Sequence, residues 1–183
     1  MLTPLIGFGD AAQQAQLSIS ADARLRQGTL NLVYEVRDDL SSICWPIAAQ
    51  NSNPARRDEL WKTTCFEAFL LIGDGPAYFE FNLSPSGDWN AYRFSGYRDG
   101  MKPLNLGSEL VRPPRVRVER EAGLSRIHAE LELAANDIRR AGLTAVIERD
   151  TPKKNERLSY WALVHPGAQP DFHRADSFFF RFT

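Results

Sequence analysis

The chain lacks most of what would tie it to a common catalytic or targeting class. Only two cysteines, Cys44 and Cys65, occur in 183 residues, so no disulfide framework organises it. Both stand in apolar, strand-like runs and read as buried free thiols, with a single bridge open to them if their strands are neighbours. No apolar run reaches the length of a membrane span. The opening MLTPLIGFGDAAQQA has neither a basic start nor a long apolar core, which predicts a cytoplasmic chain, or a secreted one if a leader has been removed. Charge of one sign is missing as well: 22 basic and 23 acidic residues leave a formal net charge of −1. That excludes the electrostatic footprint of a nucleic-acid or anionic-membrane partner and leaves a small molecule or an oligosaccharide as the expected ligand. There is no G-x-S-x-G elbow, P-loop, dinucleotide fingerprint or H-E-x-x-H. Repeats and low-complexity tracts are absent too.

What is present is ordinary in amount and distinctive in order. A hydrophobic fraction of 43% and a charged fraction of 25% describe one globular domain over residues 1–183, long enough to bury a substantial core. Eleven Phe, five Tyr and four Trp favour strands. Strand-like runs fall at 16–20, 29–36, 42–46, 63–72, 77–84, 89–94, 115–120, 126–133, 143–149, 158–164 and 177–182. Turn signals such as Arg26-Gln27-Gly28 and Ser84-Pro85-Ser86-Gly87 separate many of them. Residues 134–142 predict one short helix, with Asn136 or Asp137 as N-cap and Gly142 as its stop. About ten strands and one short helix predict an all-β fold, an antiparallel, jelly-roll-like β-sandwich.

Residues 56–97 carry the densest pattern. Successive side chains of a strand point to opposite faces. Phe66, Ala68 and Leu70 therefore share one face, and Cys65, Glu67 and Phe69 the other. Likewise Phe79, Phe81 and Leu83 oppose Tyr78, Glu80 and Asn82. In the third run Tyr92 and Phe94 are expected inward, with Trp89, Ala91 and Arg93 outward. Pairing the three gives one apolar surface and one polar surface bearing Glu67, Glu80, Asn82, Trp89 and Arg93.

Trp61, just before this run, reads as a stacking platform at the mouth of the sheet or as a cover for the end of the sandwich. Glu67 and Arg93 read as a cross-strand ion pair or as a pair that grips ligand hydroxyls. Glu80 and Asn82 are further candidates on that face, or solvated sheet surface. Glu67 and Glu80 also have the residue types of a glycosidase pair, but paired carboxylates on a sheet are common without catalysis, so a non-catalytic module is preferred. Near the C-terminus, Trp161 shares a face with Leu163. His165 and His173 flank a loop and are expected to bond its backbone, with His173, near Asp171, also placed at a ligand rim. They and Asp171 or Asp176 are too loosely spaced for a metal site, and none is expected.

The blocks Leu60-Trp61, Phe66-Glu67-Ala68-Phe69-Leu70 and Tyr78-Phe79-Glu80-Phe81-Asn82-Leu83-Ser84-Pro85-Ser86-Gly87 resemble the DOMON-like superfamily and carbohydrate-binding module family 9. Tyr160-Trp161-Ala162-Leu163 and Pro170-Asp171-Phe172-His173, with 178–180, look like the DOMON-like proteins of bacteria. The resemblance implies a β-sandwich that binds sugars or haem without catalysis. It implies that Trp61 and Trp161 clamp a sugar while Glu67 and Arg93 hydrogen-bond it. Its haem-binding relatives use a methionine and a histidine as axial ligands, which points to Met101 with His128, His165 or His173. A redox module of that kind, and a structural protein-interaction domain, are the alternatives to saccharide binding.

Overall fold

Period-two alternation becomes two packed antiparallel sheets in the computed structural model, which describes residues 1–13, 16–48, 53–134, 137–152 and 156–182. In chain order the elements are β1 (Thr3–Pro4), β2 (Ile6–Gly7), the single helical turn α1 (Gly9–Gln13), β3 (Leu17–Arg26), β4 (Thr29–Asp38), β5 (Cys65–Ile72), β6 (Tyr78–Leu83) and β7 (Trp89–Phe94). There follow β8 (Lys102–Pro103), β9 (Arg115–Glu121), β10 (Leu124–Glu132), β11 (Ile138–Glu148), β12 (Leu158–Ala162) and β13 (Phe180–Arg181). A five-stranded sheet runs β1-β3-β4-β10-β9. An eight-stranded sheet runs β2-β12-β11-β5-β6-β7-β8, with β13 also on β11. The fold is the expected antiparallel β-sandwich. The β3–β4 hairpin closes with Gln27 (φ 48°) and Gly28 (φ 78°) both left-handed, the geometry that matches the twist of a two-residue hairpin.

The core lies between the sheets. Leu30, Leu32, Tyr34, Ile127 and Leu131 of the smaller sheet meet Phe66, Ala68, Leu70, Phe81, Leu83, Leu143 and Ala145 of the larger one, all fully buried or nearly so. Tyr34 spans the gap: its hydroxyl donates to the Glu67 carbonyl at 2.6 Å, fixing the backbone of β5 from beneath.

The larger sheet is covered on its outer side too. A second cluster of Phe69, Tyr78, Tyr92, Phe94, Phe172 and Phe178 packs there. Phe178 stacks on Phe69 with ring centroids 5.9 Å apart. Gly142 makes room for it, since a Cβ at that position would lie 2.9 Å from the Phe178 ring. This second cover is why β5 and β6 are buried along essentially their whole length.

Four expectations are corrected. The helix over 134–142 is instead the start of β11, where Gly142 pairs with Phe69 and Ala141 with Leu70. The long-range ladder outweighs the local cap signal, and Asn136 lies outside the described residues. Residues 42–46 form a single bridge, Ile43 to Arg149, rather than a strand. Residues 177–182 contribute only Phe180 and Arg181 as strand. In β7 the faces are reversed. Trp89 pairs with Leu83 and Ala91 with Phe81, so both enter the core, while Tyr92 and Phe94 join Glu80 and Tyr78 on the outer side. Both cysteines are free, as read from the sequence.

Candidate functional site

The outer face of the eight-stranded sheet carries a cavity of about 430 Å³. Its floor is sheet: Glu67 and Phe69 of β5, Glu80 of β6, Phe94 of β7, Val146 of β11 and Tyr160 of β12. The rim is loop: Trp61, Arg98, Met101, Pro170, Phe172 and His173. Trp61 sits in a 3-10 turn, Leu60–Lys62, entered through Glu59 at φ 62°. The segment before that turn is anchored to β7, where Asp58 accepts from the Tyr92 hydroxyl at 2.7 Å and the Asn90 amide at 2.9 Å. The opposite rim is tied by Asp171. It accepts from the Tyr97 hydroxyl at 2.5 Å, the Arg98 guanidinium at 2.9 Å and the His173 backbone N–H at 3.2 Å.

Two carboxyl groups lie at the bottom, Glu67 at 3% and Glu80 at 6% exposure. Thr144 donates its hydroxyl to Glu67 Oε2 at 3.0 Å. Asn82 donates to Glu80 Oε1 at 2.6 Å, with Asn82 itself fully buried. Burial, and then the neighbouring Glu80, push the Glu67 carboxyl up to about 8 despite the Thr144 bond, so it is protonated at neutral pH. Burial raises Glu80 as well, opposed by Asn82 and by the charge of Arg98. His173 is pushed down to about 4, by burial first and by Arg98 second, and is neutral. Its Nδ1 meets the Tyr78 hydroxyl at 2.7 Å and its Nε2 faces Glu80 Oε2 at 3.8 Å, an approach that carries no ion pair at neutral pH. The site is therefore a mostly aromatic bowl with hydrogen-bonding acids at its base.

Of the seven residues singled out in the sequence, Trp61, Glu67, Glu80 and His173 line this cavity. Asn82 sits behind it as the partner of Glu80. Trp161 and Arg93 are elsewhere. Trp161 pairs with Ala145, faces the inter-sheet core at 5% exposure and donates to Ser159. Arg93 pairs with Phe79, on the core side of β7, and reaches out to Glu109 at 3.3 Å, so it forms no pair with Glu67. The outward aromatic of β12 is Tyr160, one residue before Trp161. Phe69, Tyr160, Phe94, Arg98 and Phe172 were not singled out. For Phe69 the shared parity with Glu67 was a usable signal. Arg98 and Phe172 arrive on loops, with no periodicity to mark them.

The haem alternative brings Met101 and His173 to one cavity, while His128 lies on the other sheet and His165 bonds the Ile6 carbonyl at 2.7 Å. The residues do not fit a haem: both ring nitrogens of His173 are turned to protein groups, Tyr78 and Glu80. Among the described residues no cluster of His, Cys, Asp and Glu has the makings of a metal site.

No protein-family model matches the chain, and no curated protein matches it. Among solved structures, a Bacteroides uniformis protein to which carbohydrate binding is provisionally ascribed shares the fold. The TM-score is 0.65 at 12% identity, over 97% of this chain and 84% of that one. A carbohydrate-binding module of family 9 from Caldicellulosiruptor kristjanssonii also aligns. Its glucose complex gives a TM-score of 0.48 at 13% identity, covering 92% of this chain and 76% of that one. Its cellotriose complex gives 0.49 at 13% identity, covering 92% and 74%.

Proposed function

We propose that the chain is a non-catalytic binding module of the DOMON-like kind that holds a saccharide or sugar-like metabolite in the cavity above β5 and β6. One observation carries the reading: an aromatic-walled bowl of about 430 Å³ with two buried carboxyl groups at its base. Small-molecule sites are concave and mostly apolar, roughly 300–1,000 Å³, with a few polar groups fixing orientation. A sugar ring presents both chemistries, C–H faces for Trp61, Tyr160 and Phe172 and hydroxyls for Glu67 and Glu80. Protonated Glu67 can donate as well as accept, which suits a hydroxyl better than a carboxylate would. Supporting context comes from the motif blocks around Trp61 and Glu67 and from the fold shared with the Bacteroides uniformis protein.

The test is a tryptophan-fluorescence titration with mono- and oligosaccharides, preceded by a glycan array. Trp61 is half-buried at the rim, so binding should perturb its emission, and Trp61→Ala should weaken affinity roughly tenfold, ~1.4 kcal/mol, with the fold intact. No binding across the array, or unchanged affinity in Trp61→Ala, removes the reading.

A further inference from the structure

The two acids at the base of the cavity have no protein cation to answer them. Among the described residues neither Glu67 nor Glu80 pairs with a lysine or arginine. The nearest basic groups are Arg98, committed to Asp171 at 2.9 Å, and His173, a ring whose Nδ1 is taken by Tyr78. Glu67 spends only one oxygen on the protein, Oε2 on Thr144, while Oε1 accepts no hydrogen bond although the residue is 3% exposed and lines the cavity. That oxygen faces the cavity and is open to a ligand's donor. The walls above are aromatic faces, Trp61, Tyr160, Phe94 and Phe172. Ring faces attract cations, and more so when the contact is dry.

We propose that the ligand carries an ammonium group: the cavity takes an amino sugar with a free amine, its cation seated beside Glu67 and Glu80 and its ring against the aromatic walls. This rests on the saccharide reading above and narrows it. An ammonium brings three donors and no acceptor, matching the free side of the Glu80 carboxyl and the open Oε1 of Glu67, whose proton passes to solvent as the entering cation favours the ionised acid. The same acids offer a uronic acid no cation to pair with, and they gain nothing special from an N-acetylated sugar, whose amide is neutral. Arg98 is held at the rim by Asp171 and pairs with neither acid.

The experiment is calorimetric titration of the whole chain at pH 6.5 with glucosamine, galactosamine and mannosamine. Each is compared with its parent hexose and its N-acetyl form, and glucuronate is added as the anionic control. The expected result is that at least one amino sugar binds tenfold or more tighter than its parent and its N-acetyl form, with glucuronate the weakest. The paired variant Glu67→Gln/Glu80→Gln should erase that preference, leaving each amino sugar bound no tighter than its parent hexose. Parent hexoses that bind as tightly as the amino sugars overturn the ammonium and leave the saccharide reading standing. No binding by any of these sugars overturns both. The comparison among ligands on the unmodified protein is decisive alone, so the inference stays testable if the paired variant fails to fold.

Discussion

The two sheets present the same alternation to the outside and meet different fates. On the five-stranded sheet the outward positions of β9 and β10 are Arg115, Arg117, Glu119, Arg126, His128 and Glu130. They form a solvated lattice with contacts such as Arg126 to Glu35 at 3.1 Å and Arg115 to Glu130 at 3.3 Å. On the eight-stranded sheet the outward positions of β5 to β7 include Glu67, Phe69, Tyr78, Glu80, Asn82, Tyr92 and Phe94, all buried. The difference lies in what passes above. Among the described residues nothing comparable covers β9 and β10, whereas the Trp61 turn, the loop carrying Arg98 and the segment through Phe172 and Phe178 roof the other sheet. Alternation thus reports that a sheet has two faces, not that its second face is wet. Aromatics mixed among the outward acids are the sequence trace of a roof.

If the outer face of the larger sheet is a second core, breaking it should cost as much as breaking a first one. Phe69 touches Phe178, Phe172, Tyr78 and His173 at centroid separations of 5.9, 6.4, 6.3 and 5.2 Å. Phe69→Ala should lower stability by about 3–5 kcal/mol in chemical denaturation, the range for a buried Phe. A loss below about 1 kcal/mol would mean the roof does not pack as a core.

A smaller effect separates the two faces by pH. An unfolded glutamate ionises near 4.5, whereas folded Glu67 holds its proton to about 8. The folded state therefore binds more protons across that window, and this group makes stability fall as pH rises from the lower value to the upper. His165 and His173, both lowered from 6.5, act in the opposite sense as the unfolded rings lose their protons through that value, and do so alike in the wild-type chain and in Glu67→Gln. The difference between those two chains from pH 6.5 to 8 thus isolates the buried acid. The wild-type chain should lose roughly 1.5 kcal/mol more than Glu67→Gln over that interval, read from denaturation midpoints at the two pH values. Equal slopes would place an ionised Glu67 at the cavity floor at neutral pH and remove the donor on which the hydroxyl contact depends.

The sequence made the second face legible only where strand parity alone decides it. Cys65, Glu67 and Phe69 opposite Phe66, Ala68 and Leu70 follows from chain order, as does Glu80 opposite Phe81. Parity cannot say which face of the next strand joins which. For β7, Trp89 and Ala91 compete with Asn90 and Tyr92, and the outcome is set by the turn that pairs Trp89 with Leu83. The same ambiguity chose Trp161 over Tyr160: adjacent aromatics of β12 point opposite ways, and only pairing with Ala145 and Val146 of β11 sends Trp161 inward. Residues 134–142 show local signal losing to a distant partner, since Gly142 is small because Phe178 lies on it, not because a helix stops there. Arg98 and Phe172 reach the cavity through contacts made across the fold, which no local window contains.

The smallest effect is expected on the other face, and it completes the contrast. Arg126 is paired twice there, 3.1 Å from Glu35 and 3.9 Å from Glu121, yet its side chain remains 35% exposed. Water already solvates these charges, and holding two long side chains in register costs entropy, so exposed pairs of this kind contribute about 0.2–1 kcal/mol. Arg126→Ala should therefore change stability by no more than about 1 kcal/mol, and by less still at high salt, where screening shortens the reach of each charge. A loss of about 3 kcal/mol that persists in high salt would show that Arg126 packs its stem as a roof over β4 and β10. The two outer faces would then differ in chemistry but not in kind.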